Sequence, residues 1–167
     1  MCKSRESEES MSATFVSVFI LASSALLLIL WLRSASQSIL RRPFERRYSE
    51  EVAEANQLEF LAIREALDGD RDAVGDHRGV LDALERDYEA LSYLLRNAAT
   101  LHVGHCSPSE RLLILDFQLL RLQARIAHAL GVGDWRSVLL KMTAILEYFA
   151  NVVGQRLATF PGRVLSH

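Results

Sequence analysis

Residues 11–32 contain no charged side chain and consist mostly of Leu, Ser, Ala, Val, Ile and Phe. A helix rising ~1.5 Å per residue over that run is about long enough to cross a hydrocarbon core of ~30 Å. A cleavable signal peptide is the rival reading, and it needs a basic start followed by an apolar stretch of about 7–15 residues. Here Lys3 and Arg5 face Glu6, Glu8 and Glu9, and the apolar run is longer. A retained anchor is therefore expected, although Ser34, Ala35 and Ser36 form a passable cleavage site.

Arginines set the expected orientation. Arg33, Arg41, Arg42, Arg46 and Arg47 follow the run closely, whereas only Lys3 and Arg5 precede it. Basic residues beside a span stay on the cytoplasmic side. The expected order is a polar tail at 1–10, a transmembrane helix at 11–32, a basic juxtamembrane linker at 33–48, a helical domain at 49–160 and a C-terminal tail at 161–167. The N-terminus is expected outside and the domain in the cytoplasm. Of nineteen basic residues only Lys3 and Lys141 are lysine, which with the abundant Ala and Leu suggests a bacterial inner membrane. The five arginines, with Ile39, Leu40 and Phe44 among them, form a candidate membrane surface for an anionic inner leaflet, each charge contributing about 1 kcal/mol. They also satisfy the orientation rule alone.

The remaining chain reads as all-α, a bundle of about four helices. Ser49 to Leu67 forms one amphipathic helix, with Ser49 as its cap and Glu50 and Glu51 on the positive end of the dipole. Val80 to about Thr100 places Leu81, Leu84, Tyr88, Leu91, Leu95 and Ala98 on a heptad-type seam, which favours packing within the chain. Ser107, Pro108 and Glu110 form a capping box opening a helix to Leu130, and Gly131 ends it. That helix is apolar on more than one face, so it is expected at the centre of the bundle or under another protein. Asp134 opens the last helix, which Pro161 and Gly162 end. The short connection makes the two an antiparallel hairpin. Arg111, Asp116, Arg121, Arg125, Lys141 and Glu147 argue against further spans.

Chemical signatures are sparse. The carboxylates Asp68, Asp70 and Asp72 resemble the start of a calcium loop, but Ala73 and Gly79 stand where that pattern needs Gly and Glu. His102, His105 and Cys106 are good metal ligands, yet the other histidines, His77, His128 and His167, offer no ligand-like spacing. Cys2 and Cys106 fall on opposite sides of the expected membrane and cannot pair within one chain. Asp116 and Glu147 are expected to meet Arg121, Arg125 or Lys141 as ion pairs, or to face water. There is no phosphate-binding glycine loop, dinucleotide fingerprint or nucleophile elbow.

No catalytic residue, cofactor or metal site is implied, and a net charge of −2 argues against nucleic acid. The expected function is a non-catalytic, single-pass accessory subunit of a larger integral membrane complex. Ala13, Ser17 and Ser24 in the span, and Leu113, Phe117 and Leu120 in the helix after Ser107, are its candidate partner-helix contacts. The next reading is a membrane-tethered signalling or scaffold module, with a homo-oligomer compatible with either. A metal-dependent sensor or enzyme built on the two histidines and Cys106 comes last.

Overall fold

The computed structural model describes residues 3–44, 46–69, 77–101, 107–131 and 134–159, with side chains given from residue 14 onward and, between 77 and 101, for 78–97. Among the described residues the chain is all helix: α1 (Lys3–Leu40), α2 (Ser49–Asn56), α3 (Phe60–Gly69), α4 (His77–Leu101), α5 (Pro108–Leu130) and α6 (Trp135–Ala158). Two stretches are long and apolar enough to cross a membrane, Thr14–Leu40 within α1 and Trp135–Ala158.

The central helix is α6. It packs against α1, α2, α3, α4 and α5, and Val138, Leu139, Met142, Ile145, Leu146, Phe149 and Val153 are all but fully buried. The sequence left two places open for α5, the centre of the bundle or a position under another protein. Helix α5 lies at the side, because only one of its apolar faces meets α6, through Leu113, Phe117 and Leu120. The seam on α4 does pack within the chain: Leu81, Leu84, Leu91 and Leu95 are buried, and Tyr88 stacks on Phe117 at 4.2 Å between ring centroids.

The α5–α6 hairpin follows its local signals. Ser107 Oγ accepts from Glu110 N at 3.3 Å, and Ser107 N donates to Glu110 Oε2 at 3.3 Å. Gly131 turns left-handed (φ 62°), and its N–H reaches back to Ala127 and His128. Asp134 accepts from Ser137 N at 3.2 Å to open α6. Arg156, near the end of α6, donates to Glu110 at the start of α5 at 2.5 Å, which fixes the antiparallel sense.

Three expected boundaries move, each for a non-local reason. The single helix over 49–67 is two helices, broken where Gln57 adopts φ 52°. The new start at α3 is capped from α4: Asp87 Oδ2 accepts from Glu59 N at 2.8 Å and Phe60 N at 2.7 Å. Ser49 is not a cap. Asn151 on α6 does that work, its Oδ1 accepting from Tyr48 N at 2.6 Å and Ser49 N at 3.0 Å. Residues 33–40 are not linker but the last turns of α1, docked on the bundle by Leu32, Ser36 and Ile39. Helix α6 ends at Ala158 with Thr159 as its C-cap, and Pro161 and Gly162, expected to end it, lie outside the described residues.

Candidate interaction surface

The apolar run of α1 is uncovered. Phe15, Phe19, Leu21 and Leu27 are each at least 66% exposed, and exposure persists to Trp31. Leu32 begins the buried end. From there α1 runs antiparallel to α5: Arg33 donates to Gln123, while Ser36, three residues further, neighbours Asp116. This joint is polar as well as apolar. Asp116 is 5% exposed, and among the described residues its Oδ1 has no hydrogen-bond partner; Ser36 Oγ and Arg33 Nε share that condition. Burial raises the Asp116 carboxyl above its ordinary range, while Ser36, Arg33 and Lys141 pull the other way.

Beside this joint, α5 carries an uncovered stripe. Leu115, Leu122, Ile126 and Leu130 are 49–69% exposed and follow helical spacing along one face. Leu130 lies seven residues beyond Gln123, so the stripe continues about 10 Å past the level of Arg33 toward the apolar part of α1. Each of the two helices thus keeps an uncovered apolar face, and the two are joined where Arg33 and Ser36 meet α5.

The candidate partner contacts divide. Ser17 and Ser24 are exposed on α1, and the side chain of Ala13 lies outside the described residues. Leu113, Phe117 and Leu120 are 0–1% exposed and are corrected as docking residues, since α6 and the core already cover them. The side of α5 open to a partner is instead the one bearing Leu115 and Leu122, which its near-uniform hydrophobicity did not distinguish.

The arginines also divide. Arg33 belongs to the α1–α5 joint. Arg46 pairs with Glu51 at 3.0 Å and lies 4.9 Å over the Tyr48 ring. Arg41, Arg42 and Arg47 line a cleft of about 430 Å³ with Arg64 of α3, a residue for which the sequence offered no signal. Of the expected partners of Asp116 and Glu147, Arg121 and Arg125 both bond Glu85 instead, at 2.7 and 3.0 Å, whereas Lys141 does act on Asp116; Glu147 pairs with Arg64.

Among the described residues no three of His, Cys, Asp and Glu gather as a metal would require. His102, His105, Cys106, Cys2, His167 and the turn over 70–76 lie outside the described residues.

Fold and surface together define a class: an all-helical bundle borne on the end of an apolar helix long enough to be a span. Comparison with known protein families, characterised proteins and solved structures finds no match for this chain.

Proposed function

We propose that this chain is a non-catalytic, membrane-anchored accessory subunit that docks beside the spans of larger integral membrane proteins. The observation that carries this reading is the uncovered apolar stripe of α5, the helix on which the end of α1 docks. An isolated bundle gains nothing from leaving Leu115, Leu122, Ile126 and Leu130 in water. A partner whose helix leaves the membrane next to α1 would cover both faces together. On this reading the domain faces the cytoplasm, where Arg33 and the arginines beyond it belong by the orientation rule.

The test is extraction of the full chain from its native membrane in mild detergent, with a photoreactive residue at Leu122. A second preparation carries the probe at Tyr93, exposed on α4 (69%). Illumination, native gel separation and mass spectrometry should give an adduct to a fixed set of membrane proteins from position 122 and none from 93. Migration as a monomer or homodimer without adducts would sink the accessory role and favour a tethered module with transient soluble partners.

A further inference from the structure

Four arginines lie between residues 41 and 47, and the bundle sorts them. Arg46 points away with a carboxylate of its own, Glu51, at 3.0 Å. Arg41, Arg42 and Arg47 line one cleft, and none of them has a carboxylate within salt-bridge distance among the described residues. The opposite wall supplies Arg64, held in place by Glu147 and, at 3.9 Å, by Asp68. Four guanidiniums and one carboxylate therefore face about 430 Å³ of space, inside the size range of small-ligand sites.

The cleft is built rather than left over. Asn151, 3% exposed, pins the backbone where the arginine loop enters α2, and Phe44 meets Tyr148 edge-on at 5.2 Å. Close approach of that loop to α6 requires Gly154, because a Cβ there would overlap Tyr48. Orientation in a membrane asks only that positive charge lie near the span. It does not explain why charge from the residues after α1, the loop and α3 converges, or why, of the four arginines between 41 and 47, the paired one is turned out. A larger cleft of about 640 Å³ at the other end of the bundle lacks such an excess, setting Asp82 beside Arg78 and the paired Arg125.

Like charges gathered in a concave site raise the local concentration of anions. Guanidinium forks match phosphate oxygens two at a time. We propose that the cleft formed by Arg41, Arg42, Arg47 and Arg64 binds a phosphate-bearing anion, whether a soluble phosphate compound or the headgroup of an anionic lipid. This goes beyond the accessory role and does not depend on it.

The test uses the full chain in nanodiscs at constant ionic strength. One arm has phosphatidylcholine alone, titrated with sodium pyrophosphate; the other replaces part of it with phosphatidylglycerol and contains no pyrophosphate. Hydrogen exchange of the amides from 41 to 49 reads occupancy, and thermal melting checks the fold. Saturable protection is expected in at least one arm, the pyrophosphate arm pointing to a soluble ligand and the phosphatidylglycerol arm to a headgroup. Arg42→Gln and Arg47→Gln, both at exposed positions, should each weaken it about tenfold or more without shifting the melt. Arg46→Gln should leave it within about twofold, since Arg46 is already paired and lies outside the cleft. Absence of protection in both arms overturns the proposal. So does an Arg46→Gln loss equal to that of Arg42→Gln, which would mean diffuse charge and no site.

Discussion

Helices α1 and α6 pass the same test of length and apolarity for crossing a membrane, yet the apolar window is 6% buried within the chain in α1 and 61% buried in α6. Apolar content says how much surface must leave water. Packing says what covers it. In α6 the cover is the other helices, and its polar residues are used inside: Thr143 donates to Leu140 O at 2.9 Å, and Asn151 caps α2. In α1 the apolar faces from Phe15 to Trp31 stay open, and only the last turns touch the bundle.

The sharpest way to break this contrast is to truncate one phenylalanine on each helix. Phe149 is fully buried and Phe19 is 72% exposed. Phe149→Ala should cost about 3–5 kcal/mol through lost burial and the cavity left behind. Phe19→Ala should leave the bundle within about 0.5 kcal/mol, as surface changes do. Urea unfolding of the full chain in detergent, followed by circular dichroism, measures both. Equal costs would mean that α1 is folded into the core and is no anchor.

Gly154 sharpens the role of α6 as the common support. Gly154→Ala puts a methyl group into the Tyr48 side chain, and relief requires moving backbone that Asn151 holds. A loss of about 1–3 kcal/mol is expected. Faster hydrogen exchange at Tyr48 and Ser49 should accompany it. Unchanged exchange would show that the loop tolerates the shift.

A smaller effect is expected where α4 supports α3. Asp87→Ala removes the acceptor for Glu59 N and Phe60 N and should cost about 1–2 kcal/mol, with fraying confined to the start of α3. Asp87→Asn keeps an acceptor and should recover most of that loss. A full loss in both variants would mean that the negative charge, not the hydrogen bonds, holds the cap.

These caps explain what the sequence could and could not reveal. The capping box at Ser107, the left-handed Gly131 and the seam on α4 are legible because donor, acceptor and spacing all lie within a few residues. Asn151 and Asp87 cap helices from far along the chain, so nothing near Ser49 or Gln57 announces the break. The tail of α1 is hidden for a related reason, its apolar positions being justified only by the distant α5 and α6. The arginine run was visible as charge. Its convergence on Arg64, and the turning out of Arg46, required the tertiary arrangement.

The α1–α5 joint offers the finest test, because there α1 meets the bundle through a buried acid. Burial raises the Asp116 carboxyl above its ordinary 3.8, and Ser36, Arg33 and Lys141 only partly oppose this. A raised acid takes up its proton in the folded chain before the unfolded one. Between 3.8 and the raised value the native state therefore binds more protons, so stability falls as pH climbs through that window, and the whole cost remains above it. Asp116→Asn keeps the shape and removes the charge. The variant should exceed the parent in stability at neutral pH by about 1 kcal/mol, the order of one poorly satisfied buried polar group. That advantage should vanish as pH drops through the window, when Asp116 itself is neutral. Urea unfolding of both proteins at several pH values reads it directly. A variant less stable at neutral pH would mean that Arg33 and Lys141 hold Asp116 as an anion, making the joint of α1 with the bundle an ionic lock rather than a strained contact.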